Sequence, residues 1–326
     1  MSMPEMTLRE ALSKGLREAL RDERVFIMGQ DVASYGGAYS VTKGFLEEFG
    51  PERIVDVPIA ESVTVGAALG AAMGGMKPIV EIMTINFMLL AMDQLVNHAA
   101  KLRYMSNGQI EVPLIIRTVT GGGAQLGATH SQNFEGWLAS VPGLKVVAPS
   151  TPYDALGLLR SAVNETDPVI IAEHAQLYGV KGEVPDEDYN VTIGQANIRR
   201  QGCDITLLGH LRMVDVALEA ADLLSEKNID AEVIDLRSLR PLDTDAIVGS
   251  VKKTSRAIVL DENWRTGSFG AEIVSCIQEN AFDFLDGPVG RVGGLDVPAP
   301  YSRNLEETIA PNAGRVLEVI EQLYGL

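Results

Sequence analysis

At 326 residues the chain is long enough for about two domains of ~150 residues each. Apolar residues make up 46%, charged residues 22% and aromatic residues 6%, ordinary globular values that exclude disordered, collagenous and low-complexity architectures. The 27 Lys and Arg against 44 Asp and Glu leave a formal net charge of −17, which repels polyphosphate and anionic lipid and argues against nucleic-acid and membrane-surface roles.

Near the start, Leu8, Leu12, Leu16 and Leu20 recur every fourth residue, which predicts a helix over 8–20 opened by Thr7 and Glu10 as a capping box. Short β-branched runs predict strands at 25–28, 78–82, 112–117, 145–148 and 169–172, then at 204–208, 231–235, 257–261 and 289–292. Several are apolar at consecutive positions, as strands buried on both faces must be. Helical patterns over 153–163, 214–226 and 266–279 fall between them, and this alternation predicts a mainly parallel α/β sheet. From about 184 to 202 the pattern pauses in a polar, acidic stretch. The expected organisation is an N-terminal α/β domain over 1–185, a linker over 186–202 and a smaller C-terminal domain over 203–326.

Several motifs are absent: GxGxxG after a strand, GxxxxGK[ST], GxSxG, CxxC and HExxH. His98, His130, His174 and His210 are scattered, with no zinc-ligand spacing. Cys203 and Cys276 cannot build a disulfide framework, suit a reducing compartment and read as small apolar core residues. The opening MSMPEMTLREAL carries neither a basic-apolar signal nor a transit-peptide pattern, so a cytoplasmic, bacterial-type or otherwise intracellular location is expected. The longest uncharged apolar-looking stretch, 62–76, is shorter than the ~20 residues a membrane span needs. The run Gly121-Gly122-Gly123 is able to cradle an anion, yet it leads into no obvious helix start, and glycine-rich runs of this kind are mostly just turns.

Pro58 ends an extended run, and Glu61 stands where the chain turns into a helix of small residues. Gly66, Gly70 and Gly74 recur every four, a stripe open to close approach by another backbone within or between subunits. Each glycine costs ~1 kcal/mol against alanine in a helix, so a compensating contact is expected. Taken alone, Glu61 reads as a first-turn carboxylate favoured by the helix dipole, and His130 as a structural loop residue.

The stretch from Asp56 through Glu61 and Gly66 to Gly70 matches the E-x4-G-Φ-x-x-G pattern of the pyrimidine-binding domain in thiamine-diphosphate enzymes. The whole chain, in order, resembles the beta subunit of the decarboxylating component of 2-oxo acid dehydrogenase complexes. The matching segments are Gly29-Gln-Asp-Val-Ala, Gly36-Gly-Ala-Tyr-Ser-Val-Thr-Lys-Gly44, Glu81-Ile-Met-Thr-Ile-Asn-Phe87, Thr129-His130-Ser-Gln132, Pro142-Gly-Leu-Lys-Val-Val, Val233-Ile-Asp-Leu-Arg-Ser-Leu-Arg-Pro241 and Asp296-Val-Pro-Ala-Pro-Tyr301. Gln30 departs from the family's usual Glu, and Asp56-Val57 from its Asp-Thr. The resemblance implies a transketolase-like, thiamine-diphosphate-binding pyrimidine domain followed by a transketolase C-terminal-like α/β domain.

By the same resemblance, Glu61 hydrogen-bonds a ring nitrogen of the aminopyrimidine, and the shared proton lets the cofactor's exocyclic amine deprotonate the thiazolium. Ile59, Met83 and Phe87 match apolar positions lining that ring, with core packing as their plain alternative. His130 matches a position at the active-site mouth, where it steadies an intermediate or gives a proton to the lipoyl dithiolane. Family enzymes anchor the diphosphate through magnesium on a Gly-Asp-Gly motif, and this chain has none. The missing half-site is therefore expected on an alpha subunit, in an assembly of two alpha and two beta chains. Further implied partners are a second beta subunit and the subunit-binding and lipoyl domains of the dihydrolipoyl acyltransferase. A family potassium site of backbone carbonyls maps onto Leu114, Ala162, Val163, Glu165 and Asp167.

Within the family, the GGAYSVTKG stretch and Asp296-Val-Pro-Ala-Pro look like pyruvate-decarboxylating members, while Gly182-Glu-Val-Pro-Asp-Glu leans towards acetoin members. Branched-chain 2-oxo acid members remain an alternative, and a non-catalytic scaffold is the reading from another class.

Overall fold

Thr7 Oγ1 accepts the Glu10 N–H at 3.2 Å while Glu10 Oε2 accepts the Thr7 N–H at 2.7 Å, so the capping box is formed and the helix Leu8–Ala19 starts where its sequence says. Leu8, Leu12 and Leu16 lie fully buried on one face of it. That face packs on the helix Pro152–Val163. Gly15 lets the two helices approach closely there, since a Cβ would stand 2.8 Å from a Leu159 methyl and displace it. These features come from a computed structural model, which describes residues 4–325.

The chain divides into two compact units. One holds the residues up to Thr120 together with Leu138–Ile193, the other Gly121–Trp137 together with Gly194 onward. In the first unit six parallel strands run in the spatial order Lys145–Val147, Val169–His174, Ile115–Thr120, Lys77–Ile82, Val25–Gly29, Ile54–Asp56. The two strands Ile115–Thr120 and Val169–His174 are buried at every position, their polar and charged residues included, as central strands covered on both faces must be. Gly29 stands opposite both Asp56 and Glu81, so the residues that follow these three strands leave from one edge, the carboxyl ends of the strands. In open α/β sheets that edge is where ligands bind.

The second unit carries the spatial order Gly290–Gly294, Ala257–Trp264, Ile205–Gly209, Ala231–Asp235, Asn197–Arg200, parallel except for the last pair. Its core joins Leu207, Val233 and Leu260 of the sheet to Ala217, Ala221 and Leu224 of the helix Met213–Ser225 and to Val316 and Ile320 of Ala313–Tyr324.

Several particulars differ from the sequence reading. The stretch expected as a linker contains the strand Asn197–Arg200, an edge strand whose Ile198 is its one apolar residue. The strand Glu5–Thr7, which pairs antiparallel with Lys181–Glu183, and the strand Ile54–Asp56 are too short for a periodicity signal. Cys203 is exposed beside Asp204 and Cys276 is half-buried, so neither is a core residue. The glycine stripe meets little within the chain. A Cβ on Gly66 would touch the Gln94 side chain at 3.4 Å, one on Gly70 would meet nothing within 4 Å, and Gly74 is the helix C-cap. Among the described residues no helix is long and apolar enough to cross a membrane.

Candidate active site

The turn into the helix Glu61–Met73 is built from hydrogen bonds across the sheet edge. Asp56, at the end of its strand, accepts the Ala33 and Ser34 N–H groups at 2.7 and 3.3 Å and pins the loop that follows Gln30. The Val57 N–H donates to the Gly29 carbonyl at 2.9 Å. Ala60, the N-cap, has no side-chain oxygen to offer, and Glu61 is the first helical residue, its side chain 3% exposed. Its Oε1 accepts the Gln30 amide Nε2–H at 3.1 Å, and its Oε2 takes no hydrogen bond from the described residues. A buried carboxyl with one oxygen held and the other free is suited to a ring nitrogen that shares a proton, so the donor set fits an aminopyrimidine.

The other apolar candidates lie on elements that leave the same sheet edge. Ile59 is 82% exposed in the turn before Glu61. Met83 and Phe87, both half-buried, flank Thr84, the N-cap of Ile85–Met88. The helix Glu61–Met73 packs on the strand Lys77–Ile82 that leads into them, and on a π-helical turn, Gln94–Ala99.

Charged residues inside the central strands escaped the sequence reading. Arg117, fully buried, donates through Nε and Nη2 to the two Glu173 oxygens at 2.7 and 2.8 Å and through Nη1 to Glu81 at 2.8 Å. The Tyr178 hydroxyl adds a 2.6 Å hydrogen bond to Glu173. Burial opposes the Arg117 charge, but the two carboxylates outweigh it and hold the guanidinium charged. Burial pushes Glu81 above its ordinary value and the neighbouring Glu173 adds to the rise, while Arg117 opposes both without cancelling them. A charged residue inside a β-branched strand run such as IIRTVT was the available signal.

His130 belongs to the second unit, exposed in the loop after the three glycines, with Thr129 Oγ1 2.9 Å from its Nδ1. The glycine run, read from sequence as a turn more than as an anion cradle, does meet anions, and they are the chain's own. Gly122 N–H donates to Glu262 Oε1 at 3.0 Å, Gly123 N–H to Glu306 Oε1 at 2.9 Å and Gln125 N–H to Glu306 Oε2 at 3.0 Å. The same segment continues through Asn133, whose carbonyl accepts the Asn263 amide at 2.7 Å, and Glu135, whose Oε1 lies 3.5 Å from Nε2 of buried His210. Burial alone would lower the His210 pKa, but Glu135, Asp261 and Asp235 outweigh it and the net shift is upward. These contacts draw 121–137 away from its sequence neighbours and into the second unit.

The potassium candidates lie in two segments of the first unit that are joined where the Val112 N–H, two residues before Leu114, donates at 2.9 Å to the carbonyl of Thr166, between Glu165 and Asp167. The Val163 carbonyl accepts Lys77 Nζ at 3.0 Å, the Glu165 carboxylate pairs with Lys145, and Asp167 pairs with Arg103 at 3.0 Å. The Leu114 and Ala162 carbonyls accept the N–H groups of Val169 and Glu165 at 2.9 and 3.1 Å. Each of these carbonyls keeps a second lone pair, and at Val163 the Lys77 ammonium already supplies a positive charge. Among the described residues no group of three His, Cys, Asp or Glu side chains is arranged to hold a metal.

Two family models match the chain: the transketolase pyrimidine-binding domain over residues 4–181 and the transketolase C-terminal domain over 194–316. The pyruvate dehydrogenase E1 component subunit beta of Rickettsia felis is 45% identical over 320 residues, covering 98% of each chain. The mitochondrial beta-1 subunit of the same component from Arabidopsis thaliana is 47% identical over 312 residues, covering 94% of this chain and 86% of that one. Among solved structures, a split-gene transketolase described as an inactive beta4 tetramer superposes with a TM-score of 0.79 at 24% identity and covers 97% of both chains, a likeness of fold. The chain therefore belongs to the family of pyruvate dehydrogenase E1 component beta subunits, built from the pyrimidine-binding and C-terminal domains of transketolase.

Proposed function

We propose that this chain works as the beta half of a thiamine-diphosphate-dependent, acetyl-transferring pyruvate dehydrogenase component, active only when joined to an alpha subunit in a two-alpha, two-beta assembly. The observation that carries the reading is the buried Glu61 carboxyl, held through Oε1 by Gln30 and free at Oε2 on the ligand-binding edge of the sheet. Thiamine diphosphate, when bound, supplies the nucleophile that adds to the 2-oxo acid and the electron sink for loss of carbon dioxide. Glu61 Oε2 holds and returns the proton at the aminopyrimidine ring nitrogen. Gln30 keeps Oε1 occupied, so the proton is exchanged at one oxygen. Ile59, Met83 and Phe87 form the apolar wall that excludes water from this exchange. His130, in its exposed loop, gives a proton to the lipoyl dithiolane brought by the acyltransferase, whose subunit-binding domain also docks on the assembly.

The magnesium ligands are supplied by the alpha subunit, consistent with the missing Gly-Asp-Gly in this acidic chain. A potassium ion on the carbonyls of Leu114, Ala162, Val163, Glu165 and Asp167 and a cytoplasmic location complete the reading. The test is Glu61→Gln in the complex reconstituted with the alpha subunit, run over a panel of 2-oxo acids and acetoin. Loss of a general acid/base of this kind lowers turnover ~100- to 10,000-fold with pyruvate as the preferred substrate. A fully active Glu61→Gln complex rejects the reading.

A further inference from the structure

The loop carrying His130 is exposed from Gly123 to Leu126, so burial does not hold it. Its course is left-handed at Gly121, Gly123 and Gln125, with φ of 89°, 85° and 57°. That course presents two backbone N–H groups to one carboxylate: Gly123 to Oε1 and Gln125 to Oε2 of Glu306. Glu306 is 4% exposed, and its side chain pairs with no Lys, Arg or His among the described residues. Its charge is met by the dipoles of the loop, the pattern of an anion held in a backbone nest.

The other end of the loop is held from the same stretch of chain. Tyr301 packs so closely on Gly127 that a Cβ there would lie 2.4 Å from the ring. Gly127 has a φ of +75° and accepts the His130 N–H through its carbonyl at 3.2 Å. The hold thus passes from Glu306 and Tyr301 through the loop backbone to the residue that carries the imidazole.

From this geometry we infer that Glu306 is the positioning residue for His130, fixing the loop so that the imidazole is presented to the lipoyl acceptor. The inference rests on the proton-donating reading of His130 given above. Glu306 touches no reacting atom in this arrangement. It acts by setting the loop backbone.

The test uses Glu306→Gln, whose amide keeps one acceptor and turns a donor towards the second loop N–H. In the full-length chain, hydrogen exchange at the amides of 122–126 rises at least about tenfold, the loss expected for a charge-assisted hydrogen bond. In the complex reconstituted with the alpha subunit, lipoyl-dependent turnover falls about tenfold, while decarboxylation with an artificial electron acceptor stays within about twofold. The double variant with His130→Ala matches His130→Ala alone, because the effect passes through that histidine. Tyr301→Ala gives a second route, since Tyr301 is 70% exposed and its loss spares the core. Like Glu306→Gln, it raises the loop exchange and lowers lipoyl-dependent turnover, with decarboxylation within about twofold.

Unchanged exchange in Glu306→Gln overturns the inference, as does an equal fall in both activities or a further fall in the double variant. A His130→Ala complex that loses both activities equally overturns the reading of His130. Faster loop exchange in Glu306→Gln still supports Glu306 as the anchor of the loop in that case.

Discussion

Gln30 Nε2 reaches Glu61 Oε1 at 3.1 Å, joining the end of one strand to the first turn of a helix that begins 31 residues later. Gln30→Met keeps the bulk and removes the donor, and the urea midpoint should fall by the equivalent of about 1–3 kcal/mol. Gln30→Glu should place two carboxyls in contact, and one of them then keeps its proton. A carboxyl whose folded pKa is raised loses stability as pH rises through that value, so this variant should weaken relative to wild type between about pH 4 and about pH 8. Equal pH profiles for the two proteins contradict the pairing.

The isolated chain is expected to bind thiamine diphosphate and magnesium poorly. The Glu61 carboxyl proposed to meet the aminopyrimidine is present, while a Gly-Asp-Gly motif for the diphosphate is not. Isothermal titration of the purified chain checks this. A micromolar or tighter dissociation constant rejects the division of the cofactor site between two subunits.

Arg117→Met leaves Glu81 and Glu173 buried without their shared cation. Removing one partner from a buried ionic cluster costs about 3–5 kcal/mol, so thermal unfolding should shift down by many degrees. The loss should shrink in acid, where the two stranded carboxyls take up protons. A variant as stable as wild type at neutral pH rules out the cluster as a structural requirement.

His210 provides a pH test in the other unit. Its pKa is raised above the ordinary 6.5, so protonation favours the folded state. The stabilisation is fully present below pH 6.5 and disappears as pH rises through the raised folded value. His210→Gln should therefore lower the melting temperature more at about pH 5.5 than at about pH 8.5. A difference that is constant or reversed with pH removes the Glu135–His210 contact from the account.

Features specified by neighbouring residues were legible in the sequence. The leucine repeat and the Thr7/Glu10 spacing placed the first helix because a cap and an i+4 face need only one short segment. Glu61 at a strand-to-helix turn was legible for the same reason. Its partner Gln30 was noticed as a departure from the family, while its hydrogen bond depends on strand order. The strands Ile54–Asp56 and Asn197–Arg200 are three and four residues long, too short for a period of two to stand out. Cys203 was misplaced because its type favours burial while the turn it occupies is exposed. Nothing local told that Gly122, Gly123 and Gln125 would meet Glu262 and Glu306, since those contacts span 140 or more residues.

The excursion of residues 121–137 makes the second unit discontinuous in sequence. No single cut yields it whole. A fragment beginning at Gly194 would carry Glu306 with no loop amides to meet its carboxylate and His210 without Glu135. It would be left with charges and polar groups that only the absent peptide satisfies. Grafting the second unit onto another member of the family would therefore need two simultaneous splices, one of them only 17 residues long, and exchange of the C-terminal stretch alone would separate Glu306 from the loop it grips.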